Sequence, residues 1–353
     1  MFDANFFKGK KILITGHTGF KGTWMCEMLL MAGAKVTGYA LKPPTDPSLF
    51  EMCKLAERMN SVEGDVRDLP HLSKVFEETQ PEIVIHMAAQ PLVRESYQNP
   101  VYTYDVNVMG TVHVMECVRR CKSVRSFLNV TTDKVYKNRE RKEGYREDEE
   151  LNGYDPYSNS KSCSELVTDS YKNSFFSDTG VAISTARAGN VIGGGDFAKD
   201  RIVPDCIRAA EKREEIIVRN PYSVRPYQHV LEPVAAYLMM VQRQYEDMAF
   251  AGNYNVGPDE DDCLTTENLV TLFCQKWNEA TGDRIGWSDQ YDGGPHEAGF
   301  LKLDCKKLKD TFGWSPRWNA ETAMEKIVEW SVCYLQKGDV SACMQEQIRE
   351  FLS

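Results

Sequence analysis

The chain has 353 residues, of which 42% are hydrophobic and 27% charged, and its formal net charge is −10 at pH 7. This composition is that of a globular protein with an ample core. An acidic chain without lysine- or arginine-rich tracts argues against nucleic acid as the main partner. No segment approaches the roughly 20 apolar residues that cross a bilayer, and residues 1–11 do not resemble a secretory signal. We therefore expect a cytoplasmic protein without a membrane partner.

Strand and helix patterns alternate through the first half of the chain. Predicted strands lie at Lys11–Thr15, Lys35–Tyr39, Asn60–Glu63, Glu82–His86, Ser126–Val130 and Val181–Arg187, and predicted helices at Gly19–Ala32, Asp68–Thr79, Tyr97–Cys121 and Tyr157–Phe176. Such alternation is typical of βαβ units. It predicts an α/β fold with a Rossmann-like, doubly wound parallel sheet.

The regular alternation ends after Ala188, where Gly193-Gly194-Gly195 marks a loop. Residues 253–256 form a later strand pattern that could return to the first sheet. We expect a nucleotide-binding lobe over 1–188 with return segments near 227–258, and a smaller, discontinuous substrate-binding lobe over most of 189–353.

Three glycines, Gly16, Gly19 and Gly22, lie between the first predicted strand and the first predicted helix. Glycines at this point permit a tight turn and close approach of the backbone to a pyrophosphate. The start of the helix adds amide donors and a positive dipole end. The pattern indicates a dinucleotide site, and the alternative is a strand-to-helix turn that binds no ligand.

The acid that usually holds the adenosine ribose is missing. It is expected about 20 residues beyond the glycines, but the second strand leads into Ala40-Leu41-Lys42. This weakens the case for NAD, and Lys42 would suit the 2′-phosphate of NADP. Asp65, after the third strand, is either an adenine contact or a turn residue.

The residues best suited to acid-base chemistry follow the fifth strand and open the next helix. Thr132, Asp133 and Lys134 lie at the C-terminal end of their strand, which is where open α/β sheets bind ligands. Tyr157 and Lys161 are four residues apart and share a helix face. The lysine charge is expected to favour the tyrosine phenolate, a general base. Asp133 adds a carboxyl group that a simple alcohol dehydrogenase does not need.

These motifs resemble the extended short-chain dehydrogenase/reductase family. The Gly-x-x-Gly-x-x-Gly spacing, Ala88-Ala89 after the fourth strand and Tyr157-x-x-x-Lys161 carry the resemblance, which covers essentially the whole chain. Within the family the chain is similar to the nucleotide-sugar 4,6-dehydratases through its Thr-Asp-Lys tripeptide. Lys134 replaces the glutamate of most members and is typical of the branch that acts on CDP-glucose, as are the segments 89–94 and 225–230.

The resemblance implies NAD as the cofactor, despite the missing ribose acid, and a lyase reaction. The sugar would be oxidised at C4, lose water across C5 and C6, and regain a hydride at C6, giving a 4-keto-6-deoxy sugar for deoxysugar and lipopolysaccharide biosynthesis. Tyr157 would take the 4-hydroxyl proton, Thr132 would bond the 4-oxygen and Asp133 would protonate the departing 6-hydroxyl. Lys161 would hold the nicotinamide ribose, and Lys134 would be either the C5 base or an enolate stabiliser.

The resemblance also implies the residues that contact the ligands. Cofactor contacts are expected from Gly16, Thr18, Gly19, Phe20, Gly22, Asp65, Val66, Ala88, Ala89, Gln90, Tyr157 and Lys161. Contacts with the expected substrate, CDP-glucose, are assigned to Arg94, Asn190, Arg201 and Arg225, and no metal is expected. The alternatives are a salt bridge for Arg225 and a loop-fixing role for Asn190. His229, His296 and Glu297 are weaker candidates.

The helices at 97–121 and 157–176 are expected to form the face of a homodimer or higher homo-oligomer. Three alternative functions stay open: a 4,6-dehydratase for another nucleotide sugar, an epimerase or reductase of the same fold, and a non-catalytic dinucleotide sensor. Asp133 argues against an epimerase or reductase, and Tyr157 with Lys161 argues against a sensor.

Overall fold

The computed structural model describes residues 2–290 and 300–353, so His296 and Glu297 lie outside the described residues. The strands are β1 Lys11–Thr15, β2 Lys35–Ala40, β3 Asn60–Glu63, β4 Ile83–His86, β5 Ser126–Val130, β6 Ala182–Ala188, β7 Val191–Ile192, β8 Ile216–Val218, β9 Val224–Arg225, β10 Gln228–His229, β11 Asn253–Val256, β12 Leu264–Thr265 and β13 Trp287–Asp289. The α-helices are α1 Ala4–Phe7, α2 Phe20–Met31, α3 Leu49–Met52, α4 Leu69–Thr79, α5 Val93–Gln98, α6 Pro100–Tyr104, α7 Gly110–Arg120, α8 Pro156–Tyr171, α9 Ile202–Lys212, α10 Leu231–Glu246, α11 Thr266–Thr281, α12 Lys306–Phe312, α13 Ala320–Leu335 and α14 Val340–Leu352.

Seven strands form one parallel sheet in the order β3-β2-β1-β4-β5-β6-β11. Short apolar runs such as β4 and β5, whose residues are all buried, suit a sheet that is covered on both faces. Residues 253–256 pair with β6, as the sequence predicted. The order confirms the Rossmann-like, doubly wound fold, and it brings the C-terminal ends of β1, β4 and β5 to one edge of the sheet.

Helices cover both faces of this sheet with separate apolar clusters. On one face Trp24 of α2 and Met239 of α10 belong to a cluster that also includes Met344 of α14. On the other face Phe76 of α4 and Val114 of α7 belong to a second cluster. In the described ranges no helix combines the length and apolarity that a bilayer-crossing segment requires.

Residues after Ala188 build a third apolar cluster of their own. It contains Ile207 of α9, Phe273 and Trp277 of α11 and Ile327 of α13. Three pairs of short strands, β7 with β10, β9 with β12 and β8 with β13, accompany it. The irregular second half of the sequence therefore corresponds to short strands and helices packed around a separate core.

One predicted helix, Tyr97–Cys121, is wrong in its boundaries. Helix α5 ends at Gln98, α6 begins at Pro100, and a π-helical turn over Asp105–Met109 precedes α7. A proline has no amide hydrogen and a fixed φ, so it begins a helix more readily than it continues one. The other strands and helices predicted for residues 1–188 agree with the structure to within about one residue, with a π-helical turn at Lys172–Phe176 extending α8.

Candidate active site

The glycine loop leaves room for a ligand at the start of α2. Gly16 has φ +79°, and a Cβ there would lie 2.8 Å from the Ala88 nitrogen. A Cβ on Gly22 would lie 2.3 Å from the Gly16 carbonyl oxygen. Gly19 caps α2 without a side-chain hydrogen bond, so the first amides of the helix are available to an anion. This close-packed turn is the cradle that a dinucleotide diphosphate requires.

Other predicted cofactor residues lie around the same edge of the sheet. The Thr18 hydroxyl donates to the Leu41 carbonyl at 2.9 Å, and the Ala88 amide donates to Thr15 Oγ1 at 3.1 Å. Gln90 is buried, and its amide donates to Asn107 Oδ1 at 2.8 Å. Ala89 lies between these two, and Phe20 opens α2 beside the loop at 193–195.

Asp65 has a clear structural role in the turn after β3. Its carboxylate accepts a hydrogen bond from the Arg67 amide at 2.9 Å and pairs with the Arg67 guanidinium at 2.7 Å. Hydrogen bonding to that guanidinium lowers the pKa of Asp65. The neighbouring Val66 is buried against Gly110, where a Cβ would lie 2.7 Å from Val66 Cγ2. The turn role of Asp65 is therefore supported, and its adenine contact stays a prediction.

The carboxyl group of Asp133 is fully buried at the end of β5. It accepts hydrogen bonds from Thr132 Oγ1 at 2.9 Å and Asn190 Nδ2 at 3.0 Å, and Lys134 Nζ lies 3.5 Å from Oδ1. A Cβ on Gly189 would lie 2.0 Å from Asp133 Cγ. Gly189 therefore makes space for the acid, a relation that the sequence did not reveal.

Tyr157 lies in the first turn of α8, which Asp155 caps by accepting from the Ser158 amide at 3.0 Å. Burial raises the pKa of Tyr157 to about 12, and a hydrogen bond with Thr132 opposes that shift. Lys161 is not among the largest causes of this shift, so its expected lowering of the Tyr157 pKa stays a prediction. The Lys161 ammonium donates to the Val130 carbonyl at 3.2 Å, and burial lowers its pKa to about 7.

A buried polar network that the sequence did not reveal joins the nucleotide edge to α8. His86 Nδ1 lies 2.7 Å from Thr15 Oγ1, and Nε2 lies 3.3 Å from Thr111 Oγ1. Thr111 contacts Ser164 of α8 at 2.8 Å. Burial lowers the pKa of His86 to about 3, so the ring is neutral. The only sequence signal was a polar residue at the end of an apolar strand.

A buried ion pair fixes the other side of α8. Glu165 and Arg187 have side-chain exposures of 0% and 1%, and their nearest charged atoms lie 2.9 Å apart. Thr185 Oγ1 donates to the same carboxylate at 2.7 Å. Thr131, directly after β5, also donates to Glu165, so β5, β6 and α8 are tied together and hold Asp133 and Tyr157 on a rigid frame.

The predicted substrate residues divide into two groups. Asn190 contacts Asp133 directly, and Arg201 pairs with the buried Asp196 at 2.9 Å while interacting electrostatically with Tyr157. Arg94 lies on α5 and Arg225 lies buried on β9. The structure therefore places Asn190 beside Asp133 and Arg201 near Tyr157. The substrate contacts of Arg94 and Arg225 stay predictions.

Known proteins match the chain over most of its length. The family described as GDP-mannose 4,6 dehydratase matches residues 13–327. A CDP-glucose 4,6-dehydratase from Salmonella typhimurium is 47% identical, with 100% of this chain and 99% of the relative covered. A CDP-paratose 2-epimerase from Salmonella typhi is 24% identical, with coverage of 91% and 99%.

Solved structures share the fold at low sequence identity. A dTDP-glucose 4,6-dehydratase from Bacillus anthracis in complex with NAD has a TM-score of 0.77 at 20% identity, covering 94% of this chain and 99% of that chain. A UDP-glucose-4-epimerase from Stenotrophomonas maltophila with bound NAD has a TM-score of 0.79 at 20% identity, covering 93% and 100%. The chain belongs to the GDP-mannose 4,6 dehydratase family, within the extended short-chain dehydrogenase/reductases that its motifs predicted.

Proposed function

We propose that the protein is an NAD-dependent CDP-glucose 4,6-dehydratase that forms CDP-4-keto-6-deoxy-glucose. One arrangement supports this function most directly: a fully buried acid, Asp133, lies beside Tyr157 and is linked to it through Thr132. Oxidation at C4 alone needs only the tyrosine, whereas loss of the 6-hydroxyl also needs a proton donor. The CDP-glucose 4,6-dehydratase that is 47% identical over the whole chain supports the choice of nucleotide and sugar.

The glycine loop fits NAD because both Gly16 and Gly22 stand where a Cβ would clash with backbone. Amides at the start of α2 would hold the diphosphate, and Lys161 would hold the nicotinamide ribose. NAD bound there would supply the hydride acceptor for C4 and the hydride donor for C6. Thr18, Phe20, Ala88, Ala89 and Gln90 would line the dinucleotide, and Asp65 and Val66 would flank the adenine.

Tyr157 is assigned as the base for the 4-hydroxyl. Its phenol is protonated at neutral pH in this structure, so proton removal requires a positive charge that lowers its pKa. Lys161, one helical turn away, is the candidate for that charge. Thr132 already contacts both Tyr157 and Asp133 and would bond the 4-oxygen.

Asp133 is assigned as the acid for the departing 6-hydroxyl. Hydrogen bonds from Thr132 and Asn190 fix the orientation of its carboxyl group, so the proton donor is preorganised for the reaction. Lys134 Nζ lies 3.5 Å from Oδ1 of the same carboxyl group and keeps two possible roles, C5 base or enolate stabiliser.

We infer that Asn190 and Arg201 contact the sugar and its phosphates, and that Arg94 and Arg225 contact the nucleotide diphosphate. Guanidinium groups suit phosphate because they donate two parallel hydrogen bonds. In this assignment residues 1–188, with return segments near 227–258, bind NAD, and most of 189–353 binds the substrate. The third apolar cluster supports a separate second lobe.

We infer that the protein forms a homodimer or higher homo-oligomer through the helices around α6 and α8. Large apolar side chains are exposed there: Tyr97, Val101, Met109, Leu166 and Phe175. Val101 is 82% exposed, which favours a partner surface. Light scattering after size exclusion tests this, and a monomer at micromolar concentration would refute it.

The function is tested by mass spectrometry of the protein incubated with NAD and, separately, CDP-, UDP-, dTDP- and GDP-linked hexoses. We expect loss of one water from CDP-glucose without accumulation of NADH. Water loss from a different sugar nucleotide would support the dehydratase function and would reject CDP-glucose as the substrate. Epimerised or reduced products without water loss would reject the dehydratase altogether.

A further inference from the structure

Gln228 belongs to the segment 225–230 that forms part of the family resemblance, yet none of the roles assigned above uses it. It is buried in the short strand β10. Its side-chain Nε2 donates to the Val256 carbonyl at 2.9 Å and to the Gly189 carbonyl at 3.4 Å. Val256 ends β11 and Gly189 follows β6, and these two strands are neighbours in the sheet. The amide therefore joins the C-terminal ends of two adjacent strands.

Gln228 holds the turn Gly189-Asn190 at both of its carbonyl groups. Besides the side-chain bond to Gly189, the backbone amide of Gln228 donates to the Asn190 carbonyl at 3.3 Å. Asn190 has φ +50°, a left-handed conformation that residues other than glycine adopt rarely. Such a conformation persists where the surrounding contacts fix it. Gln228 supplies two of the contacts that fix this turn.

The same turn forms one wall of the space that holds Asp133. Asn190 Nδ2 donates to Oδ2 of Asp133 at 3.0 Å, and a Cβ on Gly189 would lie 2.0 Å from Asp133 Cγ. The acid thus bonds to one residue of the turn and packs against the other, so a shift of the turn changes both contacts. The position of the carboxyl group therefore depends on Gln228 through the two residues between them.

The Gln228 amide lowers stability in a way that a hydrocarbon side chain would not. Its Oε1 is buried and has no hydrogen-bond partner among the residues that the structure describes, and an unpaired buried oxygen is unfavourable. Rotating the amide would turn this oxygen toward the two carbonyl groups, so the carbonyls set its orientation. A side chain with two N–H groups can donate to both of them. The feature that this position uses is therefore the pair of donors.

We propose that Gln228 is a positioning residue for the loss of water, which sets the Asp133 carboxyl group against the departing 6-hydroxyl through Gly189 and Asn190. This inference rests on the proposed dehydratase function and adds no chemical step to it, since the proton still comes from Asp133. Oxidation at C4 depends on Tyr157, which lies on α8 and not on this turn. The two steps should therefore respond differently when Gln228 is changed.

The test is a single turnover with CDP-glucose and NAD that compares Gln228→Met with the wild-type enzyme. Methionine has a side chain of similar length and carries no N–H donor. NADH absorbance reports C4 oxidation, and product mass reports water loss. We expect Gln228→Met to oxidise C4 within about threefold of the wild-type rate and to lose water about 10- to 100-fold more slowly, because the acid is displaced. NADH should therefore accumulate in this variant.

Gln244 provides a matched control for a glutamine with a purely structural role. It is buried on α10, and its Nε2 donates to the Phe127 carbonyl at 3.0 Å and to Ser126 Oγ at 2.8 Å. Both partners begin β5, at the edge of the sheet opposite to the site. Gln244→Met should lower the melting temperature, as Gln228→Met does, without accumulation of NADH. A difference in NADH accumulation between the two variants separates positioning from stability.

A double variant tests the route from Gln228 to the acid. Asn190→Gly removes the hydrogen bond to Asp133, and glycine adopts a φ of +50° without strain. Asn190→Gly should itself accumulate NADH. Adding Gln228→Met to it should slow water loss by less than about threefold more, because the contact through which Gln228 acts is already absent. Thermal melting and NAD titration show whether each variant folds.

Water loss by Gln228→Met within about threefold of wild type overturns the proposal. So does equal slowing of both steps, NADH accumulation in Gln244→Met, or a double variant in which the two effects multiply. Gln228→Leu repeats the measurement if Gln228→Met does not fold, and normal water loss in Asn190→Gly overturns the proposal without any Gln228 variant. Failure of the wild-type enzyme to dehydrate CDP-glucose refutes the proposed function instead, which keeps the two results distinguishable.

Discussion

Replacing Gly189 by alanine tests whether the position of Asp133 controls dehydration. The added methyl group would lie 2.0 Å from Asp133 Cγ and 2.1 Å from Oδ1, whereas ordinary contacts begin at 3.4 Å. Asp133 is fully buried and cannot turn toward solvent. The carboxyl group must therefore move by more than about 1 Å, which breaks its hydrogen bonds with Thr132 and Asn190.

The expected loss of rate follows from that displacement. A misplacement of about 1 Å costs about 100-fold, and complete loss of a general acid costs about 100- to 10,000-fold. We therefore expect Gly189→Ala to slow water loss by about 100- to 10,000-fold, equivalent to a barrier increase of about 3–5 kcal/mol. The overpacked site should also lose about 1–3 kcal/mol of folding stability.

The assay follows NADH absorbance and product mass in a single turnover with CDP-glucose. Because C4 oxidation does not use the acid, Gly189→Ala should accumulate NADH while forming little dehydrated product. Gly286→Ala is the matched control, since a Cβ at Gly286 meets nothing within 4 Å. Dehydration by Gly189→Ala within threefold of wild type would refute the assignment of Asp133 as a positioned acid.

Three further predictions concern the frame and the cofactor site. Glu165→Gln leaves the Arg187 charge buried and unpaired, so urea unfolding should show that the free energy of unfolding falls by about 3–5 kcal/mol. The exposed control Asp310→Asn should lower it by less than about 0.5 kcal/mol. Burial lowers the pKa of Lys161 to about 7 from 10.5; the unfolded chain then binds more protons between these values, and stability should rise with pH from about 7 to 10 by up to about 1.4 kcal/mol per pH unit. Lys161→Met should reduce this rise in stability, and an unchanged pH dependence would contradict the lowered pKa of Lys161. Gly16→Ala should weaken NAD binding at least about tenfold in a fluorescence titration, because φ is +79° and the added Cβ would lie 2.8 Å from the Ala88 nitrogen. An unchanged NAD affinity would refute the assignment of the glycine loop to the cofactor site.

Local patterns in the sequence determined the nucleotide half of the fold. The apolar runs at residues 11–15, 83–86 and 126–130 became central strands because a strand covered on both faces needs no polar alternation. The glycine spacing predicted a tight turn followed by a helix; both are present, and Gly16 in the turn has a positive φ. Residues 253–256 could be recognised as a strand that returns to the first sheet, because the edge strand of a parallel sheet can pair with one further strand.

Only the tertiary structure decided how the candidate catalytic groups are surrounded. Gly189 and Asp133 are 56 positions apart along the chain, but they pack directly against each other. The pKa of Tyr157 rises because of burial, although the sequence placed a lysine one turn away. Spacing along the chain specifies which residues share a helix face, whereas desolvation and contacts between distant segments depend on how the whole chain packs.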